Sequence, residues 1–282
     1  MFSTGHLIWI GISAALIVGG FAACVKKKAS VDQVLKVCFV LGICSEVVKV
    51  FSVANILPMV EPVIASGAQG PVLEYSATGQ YSPYIEMAHL PLELCSLQLV
   101  FMASAIWLKD SKWKDRFLTL MFPTGIIGGS MGILMAYITS EYTTVRSYFA
   151  SPRVWQFFLF HAMVVMLALY IGYTRKEGYS RQEIRRSILA IISMDAISFY
   201  INSVFSQPVY IDGTPVGLVY RVNFFSSYVN PLGLILTEKW QWIAYLMIRG
   251  VLAVSLLLLL FLVHRMMNPM RAAAKQDEQP AE

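Results

Sequence analysis

Charged residues are scarce in this sequence, and their scarcity excludes an ordinary soluble domain. Aspartate, glutamate, lysine and arginine make up 14% of the 282 residues, whereas soluble proteins carry about 25%. The charges are also segregated, so that long apolar stretches without charge alternate with short stretches that hold several. This pattern indicates a polytopic membrane protein. The formal net charge of +5 therefore bears on orientation in a bilayer and does not indicate a nucleic-acid partner.

Cysteine is rare as well, and its placement does not favour a disulfide framework. The four cysteines all lie in apolar runs, where oxidative pairing is not expected. The first apolar run has no basic residue before it and no small-residue cleavage site after it. We therefore expect it to be a retained helix and not a cleaved signal peptide.

Seven apolar runs are candidate membrane spans, each near the length that crosses about 30 Å of hydrocarbon as a helix. The fold class that they predict is an all-α integral membrane protein with a seven-transmembrane helix bundle over residues 1–267. The last residues, 268–282, are small and polar and predict a disordered tail. The predicted spans are 7–24, 34–60, 87–108, 117–138, 156–174, 187–206 and 240–264.

Basic residues are distributed unequally between the two sides of this bundle. Fifteen lysines and arginines fall in the 1–2, 3–4 and 5–6 connections and the C-terminal tail, and four fall in the other connections. This asymmetry predicts an N-terminus outside and a cytoplasmic C-terminus. The two longest connections, about 61–86 and 207–239, then lie outside, and "IDGT" at 211–214 is a candidate hairpin turn.

Polar side chains within the predicted spans are candidates for a functional site, because such groups in a membrane usually face the bundle interior. At a rise of about 1.5 Å per residue, Cys95 is expected roughly 12 Å below the outer boundary and His161 roughly 8 Å below it. The others are expected between the midplane and the same boundary. The candidates are Cys95, His161, Asp195, Gln98, Asn202, Glu46, Lys49, Arg249 and His89.

Ion pairing is an alternative explanation for four of these residues. Glu46 and Lys49 are three residues apart and are expected to pair on one helix face. Asp195 and Arg249, both near the midplane, form a second candidate pair.

Structural roles are also open for other polar groups and for three of the cysteines. His89 lies near the predicted boundary, where interfacial histidines are common, and Asn202 is a candidate for a hydrogen bond to a neighbouring helix. Cys24, Cys38 and Cys44 are explained as small apolar side chains.

Cys95 and His161 together suggest nucleophilic catalysis. A thiol attacks as the thiolate, so it needs a base, and His161 is the imidazole at the expected depth. A nucleophile there would face the ester region and upper acyl chains of the outer leaflet. The expected substrate is therefore a lipid ester, and the expected covalent intermediate is an acyl thioester.

Supporting roles in this chemistry remain open between alternatives. Asp195 is a candidate to orient the imidazole ring, with Glu46 as its rival. Gln98 or Asn202 is a candidate donor to a developing oxyanion.

Glycines in the fourth predicted span indicate close helix packing. The run "PTGIIGGSMG" contains Gly125 and Gly129, and Gly128 and Gly132, each pair separated by three residues. Small residues at this spacing allow two helix backbones to approach closely. The run is not a phosphate-binding loop, because no lysine follows it.

The segment "HLPLELC" at 89–95, a histidine in the fifth span and seven spans overall resemble the YwaF-type family. This family includes the eukaryotic transmembrane-protein-164-related integral membrane acyltransferases, and the resemblance covers roughly residues 5–265. It implies transfer of fatty acyl groups between membrane phospholipids by Cys95 and His161, with no metal and no cofactor. Many relatives have a second histidine at the position of Glu93.

Two function classes follow. The first is a phospholipid acyltransferase or lipid ester hydrolase in the cell membrane, with phospholipids as its partners. The second is a non-enzymatic binder or transporter with an intramembrane polar site. The donor, the acceptor and the oligomeric state are not determined by the sequence. A retinal photoreceptor is excluded because the last span has Arg249 but no lysine.

Overall fold

The computed structural model describes residues 2–67, 70–90, 92–108, 111–136, 142, 144–211, 214–219, 222–226 and 236–268. The chain is mostly helical in these ranges. The helices are α1 Thr4–Lys26, α2 Val31–Val53, α3 Leu94–Trp107, α4 Ser111–Leu134, α5 Val145–Ala150, α6 Pro152–Thr174, α7 Arg181–Val204 and α8 Lys239–Met267. Two short 3₁₀ turns span Met87–His89 and Phe224–Ser226, and the strands are β1 Asn55–Gly67, β2 Gly70–Tyr84, β3 Gln207–Ile211 and β4 Thr214–Val219.

Five of the helices are long and apolar enough to cross a membrane, namely α1, α4, α6, α7 and α8. The protein is therefore a multi-pass membrane protein. Helix α2 is equally long but carries four charged side chains, and α3 has only 14 residues. Between Leu134 and α6 the chain also forms the six-residue helix α5, which the hydropathy pattern does not predict.

Two of the predicted spans extend seven residues beyond the observed helices, one at its end and one at its start. The predicted span 34–60 ends early, because α2 stops at Val53 and β1, which contains Pro58, follows. The predicted span 87–108 begins late, because α3 starts only at Leu94. Leu90 has extended backbone angles, as expected for a residue before proline. The predicted kink at Pro91 falls on a residue outside the described ranges.

Serine caps fix the starts of two helices on the side that carries most basic residues. Ser30 accepts a hydrogen bond from the Gln33 amide, and the Gln33 side chain accepts one from the Ser30 amide. Ser180 and Glu183 repeat this arrangement at the start of α7. Such reciprocal bonds satisfy amides that a helix start leaves unpaired.

Helix α6 lies at the centre of the bundle and contacts α1, α2 and α4. The glycines of α4 make this packing close, as the sequence predicts. A side chain at Gly125 would lie 2.8 Å from the Ala168 side chain, and one at Gly129 would lie 2.6 Å from Val165. Larger residues at these two positions would force α4 and α6 apart.

Two antiparallel hairpins depart from the all-α expectation. β1 pairs with β2 over the connection between α2 and α3, with a register shift between Pro58 and Val60. β3 pairs with β4 so that Ile211 faces Thr214. This pairing confirms the hairpin expected from "IDGT", whose two central residues lie outside the described ranges, as does most of the predicted tail.

Candidate functional site

A cavity of about 100 Å³ contains five of the nine candidate side chains. It is bounded by α2, by the segment that leads into α3, and by the first half of α6. The residues that line it are Glu46, Lys49, His89, Leu90, Glu93, Cys95, Ser96, Arg153, Gln156, Phe157, Phe160 and His161. The predicted nucleophile and the predicted base therefore share one small polar cavity.

Cys95 is the second residue of α3, and Glu93 is the cap residue before it. The expected depth of the thiol assumed a helix that starts at residue 87. The structure instead places Cys95 in the first turn of α3, at the N-terminal end of the helix. A side chain at Gly128 of α4 would lie 3.3 Å from the Cys95 amide nitrogen, so the start of α3 is packed tightly against α4.

His161 is 5% exposed and sits in the middle of α6. Its Nδ1 is 2.6 Å from the carbonyl oxygen of Phe157. A carbonyl oxygen only accepts hydrogen bonds, so Nδ1 carries the proton and donates it. The other ring nitrogen, Nε2, is then unprotonated in the neutral ring and is available to accept a proton.

The thiol and the ring are neighbours in the cavity but make no direct hydrogen bond to each other in the described structure. Helix α4 contacts both elements, because Gly128 lies against the Cys95 amide and Gly132 lies against the Cδ2 and Nε2 edge of the His161 ring. Catalytic hydrogen bonds are often long before substrate binds and close only in the complex. The structure thus brings Cys95 and His161 to one cavity.

The cavity also contains two cations, each with a polar partner. Lys49 forms an ion pair with Glu46, which confirms the pairing predicted from their spacing. Arg153 donates a hydrogen bond to the side chain of Gln156, and Gln156 in turn donates to the Ser45 hydroxyl at 2.8 Å. Groups of both signs therefore surround the thiol and the ring.

The sequence analysis does not include Arg153 and Gln156 among the site residues. The predicted fifth span begins at residue 156, so Arg153 falls in the connection before it. A signal for them exists in the spacing. Arg153 precedes His161 by eight residues and Gln156 precedes Phe160 by four, so these side chains recur on one face of α6. Taking α6 to begin at Pro152 would have revealed this face.

A second group of the candidate side chains lies around α7 and α8. Arg249 of α8 forms an ion pair with Asp195 of α7, as expected, and also donates to the carbonyl oxygen of Phe225. Asp195 does not orient the His161 ring, because its carboxylate is bound to Arg249 and the ring bonds to a backbone carbonyl instead. The expected triad role of Asp195 is therefore wrong.

Neither predicted oxyanion donor is directed to the cavity. The Gln98 amide donates to the Thr124 hydroxyl at 2.8 Å and to the Leu94 carbonyl oxygen at 3.3 Å. The Asn202 side chain binds both backbone groups of Phe224, at 2.9 and 3.0 Å. Both amides thus have structural partners, and Asn202 bonds to a connection segment rather than to a helix.

Glu93 joins the two clusters. It lines the cavity, and its carboxylate accepts a hydrogen bond from the Phe225 amide at 3.4 Å. The segment 222–226 is therefore tied to α7 by Asn202, to α8 by Arg249 and to the cavity wall by Glu93. His89, which was also open to an interfacial explanation, lines the cavity with Glu93.

The remaining cysteines are away from the cavity. Cys38 is 2% exposed within the apolar core, Cys24 packs against that core, and Cys44 is on the exposed surface of α2. Among the described residues, no group of three or more histidine, cysteine or acidic side chains is arranged to hold a metal ion.

These features define a class: a multi-pass helical membrane protein with a cysteine–histidine cavity beside a glycine-lined helix contact. Residues 1–264 match the model of the TMEM164 family, and the chain belongs to this family. The match confirms the resemblance seen in the sequence. No curated protein and no solved structure matches the chain.

Proposed function

We propose that the protein is a lipid acyltransferase of the membrane in which Cys95 is the nucleophile and His161 is the base. The observation that supports this proposal is the shared cavity: a thiol and an imidazole whose Nδ1 is bound to a backbone carbonyl line the same 100 Å³ space. Covalent acyl transfer by a thiol needs an adjacent general base, and His161 is the imidazole in the same cavity.

The first half of the reaction forms the thioester. Nε2 of His161 removes the proton from the Cys95 thiol, and the thiolate attacks the ester carbonyl carbon of a phospholipid. The carbon–oxygen ester bond breaks, and the leaving lipid alkoxide takes the proton from the imidazolium. The products are an acyl-thioester on Cys95 and a lysophospholipid, and His161 is neutral again.

The second half reverses these roles with a new acceptor. The hydroxyl of a second lysophospholipid loses its proton to Nε2 and attacks the thioester carbonyl. The carbon–sulfur bond breaks, and the thiolate recovers the proton from His161. Transfer to a lysophospholipid makes the protein an acyltransferase, whereas transfer to water would make it a hydrolase.

The charged groups of the cavity favour a phospholipid over a neutral lipid. Arg153 lines it and donates to the neutral Gln156 side chain, and a guanidinium is a ligand of the kind that binds phosphate oxygens. Glu93 also lines the cavity, and its carboxylate suits the ammonium of a zwitterionic headgroup. These interactions leave the Glu46–Lys49 pair intact, and the proposed reaction uses no cofactor.

The proposed arrangement in the membrane has seven spans, with the N-terminus outside and the C-terminus in the cytoplasm of the cell. Five helices are long and apolar enough to cross a membrane, and we assign α2 and α3 as the other two spans. The fifteen-to-four distribution of basic residues supports the orientation. The cavity then opens toward the outer half of the bilayer. Cys95, at the start of α3, would lie near the ester groups of the outer leaflet.

Intact-mass analysis tests the covalent intermediate. Purified protein is incubated with phosphatidylcholine, and we expect one acyl adduct that hydroxylamine removes. The adduct should persist in Cys44→Ala and disappear in Cys95→Ala. An adduct that survives in Cys95→Ala, or its absence from the wild-type protein, would reject the thioester mechanism.

The alternative, a non-enzymatic binder or transporter, gains less support. Its polar pathway would use the pairs Glu46–Lys49 and Asp195–Arg249, yet in each pair the opposite charges bind each other. A pathway would have to break both pairs.

A further inference from the structure

A second and larger cavity, of about 370 Å³, lies at the opposite end of the bundle. It is formed by the first turns of α4 and α7. Thr119 in its wall precedes Gly132 of the Cys–His cavity by 13 residues along α4, which corresponds to about 20 Å. The two cavities are therefore separate.

Two arginines line this cavity without a carboxylate partner. Arg116 and Arg186 form no ion pair with any described residue. Glu183, which also lines the cavity, is neutralised by Arg175. The cavity thus has an excess of positive charge that no side chain in the described ranges compensates.

The arginines are accompanied by groups suited to an anionic headgroup. The Arg116 guanidinium is held 4.4 Å from the centre of the Trp113 ring, which restricts its orientation. Ser187 is 3% exposed and lines the cavity. Its hydroxyl is a donor beside the two guanidinium groups.

The surroundings favour a lipid over a soluble anion. The segments 109–116 and 175–186 contain nine basic and four acidic residues, so anions are attracted to this end of the bundle. Phe117, Leu120 and Ala190 provide apolar walls between two membrane helices. Trp113 is 49% exposed, as is common for tryptophan at the level of lipid headgroups.

We infer that this cavity binds the phosphate of an anionic phospholipid, with Arg116, Arg186 and Ser187 as its ligands. The acyl chains then follow the apolar surfaces of α4 and α7 into the bilayer. Basic pockets between membrane helices bind anionic headgroups by this chemistry. With the proposed orientation the site faces the cytoplasmic leaflet, but the inference does not depend on the proposed acyl transfer.

Native mass spectrometry of the full-length protein in detergent tests the site. Phosphatidylglycerol and phosphatidylcholine with identical acyl chains are added in competition. We expect the wild-type protein to prefer phosphatidylglycerol. Arg116→Gln/Arg186→Gln should weaken phosphatidylglycerol binding about 30-fold. The control Lys26→Gln/Lys27→Gln removes the same charge from exposed positions at the end of α1 and should retain the preference.

A second variant tests the cavity without a change of charge. Ala190→Phe fills it and should also abolish the preference, which keeps the test decisive if the double arginine variant does not fold. The inference is overturned if Ala190→Phe binds phosphatidylglycerol like the wild type, or if the lysine control loses the preference equally. It is also overturned if inorganic phosphate competes fully and phosphatidylglycerol has no advantage over phosphatidylcholine, because the cavity then binds small anions only.

Discussion

The His161 ring lies directly against Gly132 of the neighbouring helix. A methyl group at position 132 would overlap the Cδ2 and Nε2 atoms of the ring. The ring has little freedom to withdraw, because its Nδ1 is bound to the Phe157 carbonyl oxygen. The glycine is therefore the reason that an imidazole fits between α4 and α6.

We expect Gly132→Ala to displace the His161 ring and to reduce acyl transfer by about 10²-fold, since a shift of about 1 Å in a catalytic group has this effect. The measurement is the initial rate of acyl transfer from phosphatidylcholine in proteoliposomes. Gly250→Ala on α8 is the matched control, because a side chain there meets nothing within 4 Å. Equal rates for the two variants would show that the ring edge at Gly132 has no role.

Cys95 and His161 should behave as one catalytic unit. We expect Cys95→Ala and His161→Ala each to remove most of the activity, and the double variant to lose little more, because either change alone disables the same step. Rates are compared in liposomes. Cys44→Ala on the exposed face of α2 and Cys38→Ala in the apolar core should both stay near the wild-type rate. If the double variant loses activity by the product of the two single losses, Cys95 and His161 do not act in the same step.

The helices could be predicted from the sequence, because an apolar run long enough to cross a membrane must pair its backbone amides internally and therefore forms a helix. Their ends were less predictable, as α3 shows. Residues 87–93 continue the apolar run apart from His89 and Glu93, yet Leu90 is extended next to a proline and the helix begins only at Leu94. The long hairpin of β1 and β2 was missed because its first residues continue the apolar character of α2.

The chemistry of the site was predictable from residue types, but the hydrogen-bond partners were not. Cys95 and His161 are rare groups in apolar runs, so the sequence marks them. Gln98 and Asn202 are marked equally, yet Gln98 bonds to Thr124 and Asn202 to Phe224. These choices depend on how the helices rotate and pack, which their own sequences do not specify.

Asn202 should be required to hold segment 222–226 in place. It is fully buried and binds both the amide and the carbonyl of Phe224. Asn202→Ala leaves both backbone groups without these partners and should cost about 2–3 kcal/mol. We expect faster hydrogen exchange at 222–226, measured by mass spectrometry. Ser203→Ala at the exposed neighbouring position is the control, and unchanged exchange in Asn202→Ala would contradict the anchoring role.

The Asp195–Arg249 pair should show coupled energetics. Asp195→Asn removes the carboxylate and leaves Arg249 with an uncompensated charge, which should cost about 3 kcal/mol. Asp195→Asn/Arg249→Gln removes both charges and should be less destabilised than the single variant, because no unpaired charge remains. Thermal unfolding in one detergent provides the comparison. A double variant that is less stable than Asp195→Asn would argue against coupling through charge.

The proposed orientation predicts opposite labelling of two engineered cysteines in a cysteine-free background. Tyr75→Cys lies on the β1–β2 hairpin, where the native side chain is 67% exposed. Lys27→Cys lies at the end of α1, beside other basic residues. Positive charge favours the cytoplasmic side, so a membrane-impermeant maleimide added to intact cells should label Tyr75→Cys alone. Lys27→Cys should be labelled only after the membrane is opened. The reverse labelling pattern would show that the bundle has the opposite orientation. The Cys–His cavity would then lie in the cytoplasmic half of the membrane.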